Sequence, residues 1–241
     1  MNTEPLHTVL ITRPLNDAQS IFAEKLGLRL IIREAITIRF PDVKGTVAKT
    51  VSAHPNSPWI FTSQNAVEAV TRVLSSDIQL PQPPEVFAVG GKTKEALQEH
   101  GIQTKVPRED QNAEGLSRLI LTESHSDTFI YFCGNRTLRT IQKELKEQER
   151  TVIETEVYET VLLPVELPGE PVEAILFYSP SAVEAFAKSA GFSGKLPHLF
   201  AIGPTTARAL QKRTRQHIFV SPKPDTDIFL RYVSRVLKNK S

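Results

Sequence analysis

Ile60-Phe61-Thr62-Ser63-Gln64-Asn65-Ala66-Val67-Glu68-Ala69-Val70 returns as Leu176-Phe177-Tyr178-Ser179-Pro180-Ser181-Ala182-Val183-Glu184-Ala185-Phe186, an offset of 176 − 60 = 116. Each copy begins apolar, passes through hydroxyl-bearing residues, and continues with apolar residues at helical spacing. That pattern predicts a strand, a turn and a helix. Phe87-Ala88-Val89-Gly90 likewise returns as Phe200-Ala201-Ile202-Gly203, with 200 − 87 = 113. The register then holds without a gap through Thr93 and Thr206, Ala96 and Ala209, Leu97 and Leu210, and Leu116 and Phe229. The chain therefore carries two copies of one α/β unit. Two copies indicate a pair of domains rather than a solenoid.

The same alternation extends outward. His7 to Thr12 reads as a buried strand. The helix after Pro14 places Ala18, Phe22 and Leu26 on one face, with Gly27 as its stop. Leu28–Ile32, Trp59–Thr62 and Val86–Val89 read as strands. The segment after Thr62 sets Ala66, Ala69, Val70, Val73 and Leu74 on one stripe. Lys92 to His100 is a helix ended by Gly101. Strands alternating with helices predict parallel sheets covered on both faces. Two proline-bearing stretches, Phe40–Gly45 and Leu163–Gly169, follow strand-like runs and read as crossings. Their positions favour an interleaved layout over two consecutive domains.

Composition bounds the function. The chain has 241 residues, enough for two ordinary domains. Its 29 basic and 27 acidic residues leave a formal charge of +2, without the concentrated basic patch of a nucleic-acid binder. An anionic small molecule remains compatible, because a cleft can be positive on a nearly neutral protein. The single cysteine, Cys133, excludes an intrachain disulfide and fits a reducing compartment. Residues 1–14 lack the basic-then-apolar pattern of a leader, and no apolar run approaches the ~20 residues of a membrane span. The expectation is a cytoplasmic protein with no membrane partner.

The six histidines show no metal spacing, and neither GxGxxG nor GxSxG occurs. Gly90-Gly91-Lys92-Thr93 resembles the tail of a phosphate loop, but Val86 stands where its first glycine belongs. What recurs instead is a strand end, one or two hydroxyls, and a helix start. Thr62-Ser63, Ser179 with Ser181, Thr205-Thr206 and Thr93 all occupy it. Hydroxyls and free N–H groups at helix starts bind carboxylates, and ligands of open α/β sheets sit at these strand ends. Structure competes with function here. Asn65-x-x-Glu68 and Ser181-x-x-Glu184 read as capping boxes, so Asn65 and Ser181 are assigned as caps. Thr62, Ser63, Thr205 and Thr206 serve equally well as ligands or as structure. Arg13 is a loop arginine at a strand end, and Tyr158 a strand tyrosine with a wet hydroxyl. Lys143–Arg150 reads as a charged helix face.

Together these segments resemble the uroporphyrinogen-III synthase family. The matching pieces are residues 9–14, 61–67, 88–93, 156–160, 178–183 and 201–207, in the family's order along nearly the whole chain. The resemblance implies two flavodoxin-like parallel-sheet domains joined by a two-stranded linker, one inserted in the other. Residues 1–40 with 168–241 would form the first domain and 44–162 the second, with the active site in the cleft between them. It implies a cofactor-free lyase of heme and tetrapyrrole biosynthesis, without a metal, acting on hydroxymethylbilane. Dehydration would give an azafulvene, and closure through a spiro intermediate would invert ring D. Tyr158 would act on the leaving hydroxyl. Arg13, Thr62, Ser63, Lys92, Arg139, Ser179, Thr205 and Thr206 would bind substrate. Cys133 stands where many members have an arginine. A monomer in transient contact with the enzyme that supplies its unstable substrate completes the expectation. The alternative is a non-catalytic two-domain ligand-binding or regulatory relative, which Tyr158 disfavours.

Overall fold

The computed structural model describes residues 7–76, 81–137, 139–194 and 196–240. The chain divides into two compact units, Met1–Thr37 with Val161–Ser241, and Ile38–Thr160. The division falls inside two strands, β3 (Ile36–Arg39) and β7 (Thr151–Leu162), a few residues ahead of the proline-bearing stretches. These two strands are hydrogen-bonded neighbours in one sheet.

The first unit is a five-stranded sheet in the order β10-β9-β8-β1-β2, from β1 (His7–Ile11), β2 (Leu28–Ile32), β8 (Ala174–Phe177), β9 (His198–Ala201) and β10 (Ile218–Val220). All its pairings are parallel. Both faces are covered, so its central strands β1 and β8 are buried throughout, as in a doubly covered parallel sheet. Successive side chains alternate between two cores. Leu10, Ile175 and Phe177 pack with α7 (Pro180–Lys188) and α8 (Pro204–Gln211). Val9, Ile11 and Leu176 pack with α1 (Asp17–Lys25) and α9 (Thr226–Lys238). In α9, Phe229, Leu230, Val233 and Leu237 keep helical spacing on the buried face. Asp225 starts that helix by accepting from Ile228 N–H at 2.9 Å.

The second unit holds a sheet in the order β3-β7-β6-β4-β5, with β4 (Trp59–Phe61), β5 (Val86–Ala88) and β6 (Thr128–Gly134). Its β4–β5, β4–β6 and β6–β7 pairings are parallel. Ile130 and Phe132 of β6 face α2 (Lys44–Ala53), α3 (Gln64–Leu74) and α4 (Gly91–Glu99). Phe129, Tyr131 and Cys133 face α5 (Ala113–Glu123) and α6 (Thr140–Lys146). Phe61, Phe132 and Trp59 form an aromatic cluster in the first of these cores, with Phe61 stacked on Phe132 at 5.3 Å. Burying each such ring contributes roughly 1.5–3 kcal/mol.

Two readings of helix ends differ from the structure. Helices α3 and α7 begin earlier than the capping boxes suggest. Their caps are Ser63 and Ser179, which accept from Asn65 N–H at 3.2 Å and Ala182 N–H at 3.1 Å. Asn65 and Ser181 lie inside the first turn instead, and in α7 the earlier start follows from Pro180, which is preorganised for the first helical position. The charged stretch Lys143–Arg150 is helical only to Lys146. Glu149 turns the chain with a positive φ, and Arg150 is held rather than solvated. Its guanidinium donates to the Ser126 carbonyl at 2.8 Å and to Asp127 at 2.6 Å, fixing the start of β7.

Candidate functional site

In the second unit the carboxyl ends of the strands enclose a cavity of about 350 Å³. Thr62 and Ser63 enter it from the end of β4, Asn112 from the cap of α5, and Tyr131 and Thr137 from β6 and the loop after it. Tyr158 enters from β7, and Arg136 lines the same space. Tyr131 is 2% exposed, yet its hydroxyl is fully engaged. It is 2.7 Å from Thr62 Oγ1 and 3.0 Å from Thr137 Oγ1. Burial pushes the Tyr131 phenol above its ordinary value, partly offset by the two threonine hydroxyls. It therefore stays protonated and works as a neutral link in a hydroxyl chain. A hydroxyl has one proton and two lone pairs, so Thr62 can bond Tyr131 and still meet a ligand.

Ser63 caps α3 through its oxygen, which leaves its own proton to donate. Asn112 caps α5 in the same manner, accepting from Gly115 N–H at 2.8 Å. Two helix N-termini thus open beside the cavity, an arrangement that favours anions. Gly90 caps α4 with φ +104° and supplies no side-chain bond to that helix. The Gln111 side chain packs over it where a Cβ would stand.

In the first unit the strand ends look different. Arg13, beyond β1, sets its guanidinium 4.6 Å from the Tyr178 ring centroid and donates to Thr226 Oγ1 at 3.1 Å. Tyr178 OH and Arg13 Nε are buried with no hydrogen-bond partner. Burial drives the Tyr178 phenol well above its usual value, and Arg13 only partly counters it. Ser179 caps α7. Thr205 is exposed in the first turn of α8 and accepts from Arg208 at 3.4 Å, whereas Thr206 is buried at 3% exposure.

Thr62, Ser63 and Tyr158 therefore share one cavity. Arg13, Ser179, Thr205 and Thr206 stand at the strand ends of the other unit. Lys92 is exposed on the first turn of α4, outside the cavity lining, and Arg139 is exposed ahead of α6. The arginine that lines the cavity is Arg136. Cys133, where the family pattern has an arginine, is buried in the β6 core, and burial pushes its thiol up to about 12. Three contributors escape sequence reasoning: Tyr131, Thr137 and Arg136. Tyr131 is hidden because a tyrosine within a run of Phe, Ile and Phe reads as core. Among the described residues no cluster of His, Cys, Asp or Glu could hold a metal ion, and no helix is long and apolar enough to cross a membrane. A larger hollow of about 1010 Å³ lies at the opposite, amino end of β4 and β5. Thr71, Ser75 and Ser76 line it, but among the described residues no tyrosine and no arginine does.

The family model for uroporphyrinogen-III synthase HemD matches residues 19–230. A uroporphyrinogen-III synthase of Chlorobaculum parvum is 26% identical over 251 residues, covering 97% of this chain and all of that protein. Among solved structures, a mutant uroporphyrinogen III synthase from Thermus thermophilus superposes with a TM-score of 0.69 at 18% identity, over 97% of this chain and 99% of that one. The uroporphyrinogen-III synthetase of Helicobacter pylori gives 0.65 at 18% identity with the same coverage. At that identity the two structures speak for the two-domain α/β fold.

Proposed function

The chain belongs to the uroporphyrinogen-III synthase family, and from that premise we propose that it dehydrates and cyclises hydroxymethylbilane, inverting ring D, to give uroporphyrinogen III. It is an enzyme of tetrapyrrole biosynthesis, of the lyase class. The observation that carries the residue-level reading is the meeting of Tyr158 with the Thr62–Tyr131–Thr137 hydroxyl chain in one cavity.

The chemistry divides into two tasks. The terminal C–O bond of the bilane breaks as the pyrrole nitrogen lone pair pushes into the ring, and the leaving hydroxide needs a proton. Tyr158 donates it, so water departs, a protonated azafulvene remains and Tyr158 is left as phenolate. The substituted carbon of ring D then attacks the methylene of that cation, and the spiro intermediate opens and recloses with that ring turned over. Loss of the last ring proton, returned to the Tyr158 oxygen, restores aromaticity and the phenol. Pyrrole nitrogens supply the electronic push, so the protein's work is proton delivery and holding.

Holding falls to Thr62 and Ser63, to the N–H groups of the α3 and α5 starts, and to Arg13, Ser179, Thr205 and Thr206 of the first unit. Lys92 and Arg139 add positive charge near the approach of a polyanion. Orientation of reacting ends can remove on the order of 7–11 kcal/mol from a barrier, while a tenfold preference between two closures needs only ~1.4 kcal/mol. Distributed hydrogen bonds to carboxylates suffice for the second figure. The same reading has the enzyme working in the cytoplasm as a monomer, taking its unstable substrate from the enzyme that makes it.

The deciding experiment generates hydroxymethylbilane in place, adds the protein, and separates the oxidised porphyrin isomers. The expected result is a change from mostly type I to mostly type III product. Type I alone, at the uncatalysed rate, would overturn the synthase reading and leave a ligand-binding relative in its place.

A further inference from the structure

Gly134 ends β6 where the strand pairs with β7, and the pairing slips there by one residue. Cys133 is opposite Glu156, but Gly134 is opposite Tyr158, so Val157 is passed over. A bulge of this kind re-aims the side chain that follows it. Without the slip Val157 would face Gly134. With it, Val157 remains buried in the core and Tyr158 turns toward the strand end.

The turned ring needs room, and Gly134 provides it. A Cβ at Gly134 would lie 2.5 Å from Tyr158 Cζ and 2.6 Å from Cε2. Both distances are far below contact, and the atoms it would strike belong to a rigid ring. The next residue fixes the backbone just beyond the ring. Asn135 N–H donates to the Tyr158 carbonyl at 3.3 Å, and Asn135 Oδ1 accepts from Thr160 N–H at 2.9 Å. One residue thus leaves the space for the ring while its neighbour pins the strand from Tyr158 to Thr160.

We infer that Gly134 and Asn135 are positioning residues for the reaction, acting only through Tyr158: together they seat its ring so that the hydroxyl stands in the cavity beside Thr62 and Tyr131. The inference rests on the role proposed above for Tyr158. Neither residue touches substrate in this account. Near-attack geometry tolerates little displacement, so a ring pushed aside by one methyl group loses proton delivery without losing the carboxylate contacts.

The test pairs kinetics with a direct view of the ring. The chain has four tyrosines, so 3-fluorotyrosine labelling gives a fluorine spectrum in which the Tyr158→Phe variant identifies one resonance. In Gly134→Ala that resonance should move or broaden, kcat should fall at least tenfold, and KM should stay within twofold. In Gly134→Ala combined with Tyr158→Phe, kcat should match Tyr158→Phe alone within twofold. Asn135→Ala, an exposed site that leaves the fold intact, should repeat the pattern at about three- to fivefold, and it carries the test if Gly134→Ala does not fold. An unmoved resonance in the variants overturns the seat. Losses that multiply with that of Tyr158→Phe overturn action through Tyr158 and leave a structural role only. Full activity of Tyr158→Phe itself would sink the donor reading instead, while the spectrum still decides whether Gly134 seats the ring.

Discussion

The two units place different groups on one frame. With the 116-residue offset, Thr62 and Ser63 correspond to Tyr178 and Ser179. Ile60 pairs with Tyr131, and its counterpart Leu176 pairs with Ile11, so Tyr131 corresponds to Ile11 and, two residues on, Cys133 to Arg13. A tyrosine and a smaller residue have therefore exchanged strands. In the second unit the ring stands on β6 and a threonine just past β4, and the two hydroxyls meet at 2.7 Å. In the first unit the ring stands just past β8, its hydroxyl meets nothing, and Arg13 covers its face. The order of elements differs too. β1-α1-β2 opens the first unit, whereas β6-α6-β7 closes the second, the rearrangement expected when one copy is inserted within the other. The frame tolerates either placement, and what differs between the copies is whether the tyrosine hydroxyl finds partners.

The comparison is broken most directly by removing one hydroxyl from each unit. Tyr158→Phe should lower kcat by about 100-fold, the lower end of what a general acid supplies. Tyr178→Phe should leave kcat within about twofold. It should also raise stability by about 1 kcal/mol, because it removes a buried hydroxyl that has no partner. Paired kinetics and denaturant melts check both. Equal losses of activity would mean that the two copies share the proton-delivery role.

Arg13 and Cys133 sharpen the contrast at the next level. Arg13→Met keeps much of the packing over Tyr178 but removes the charge. A charge-assisted hydrogen bond contributes about 1.5–3 kcal/mol, so KM should rise at least tenfold with kcat nearly unchanged. Substrate-concentration series at low and moderate salt would show it. An unchanged KM would confine Arg13 to its contacts with Tyr178 and Thr226. Tyr131→Phe should have a smaller effect, lowering kcat/KM about fivefold, since Thr62 and Thr137 each lose one neutral hydrogen bond. Ser63→Ala separates capping from binding. Loss of the cap alone costs roughly 1 kcal/mol of stability with kcat/KM intact.

How much of this is legible in the sequence follows from what kind of signal each feature leaves. The strand–helix alternation and the hydroxyls Thr62 and Ser63 at a strand end are local patterns, the duplication needs two stretches set side by side, and Tyr158 is singled out only by the family resemblance, since alone it reads as a strand tyrosine. The exchange of Tyr131 against Tyr178 is not a local pattern. It depends on which strands become neighbours, and β4 meets β6 only after about 70 residues of intervening chain. Nor does a glycine announce that a ring 24 positions later lies over it, as Tyr158 does over Gly134. Helix starts are displaced by two residues from the sequence reading for a related reason. Serines at positions 63 and 179 and polar residues at 65 and 181 compete for the same cap, and only the backbone at Pro180 and Gln64 decides between them.

The smallest expected effect compares the amino ends of the same strands. With the 113-residue offset, Glu85 ahead of β5 corresponds to His198 at the start of β9. Burial pushes the Glu85 carboxyl up, but hydrogen bonds from Lys105 at 2.7 Å and Ser124 at 2.6 Å outweigh it and hold the group below its usual 4.5. Burial lowers His198 below its ordinary 6.5, helped by Lys240 and His217 and opposed by Glu173. For both groups the unfolded chain takes up its proton before the folded one does as pH falls, so stability drops with pH in each case. The windows differ. His198 should weaken the fold from about pH 6.5 down to its lowered value, and Glu85 only below about pH 4.5. Melting temperatures measured from pH 8 to pH 3 should show two successive slopes. His198→Asn should flatten the upper one and Glu85→Gln the lower. A single slope, or an upper slope that survives His198→Asn, would show that the duplicated position no longer tunes the two units to different pH.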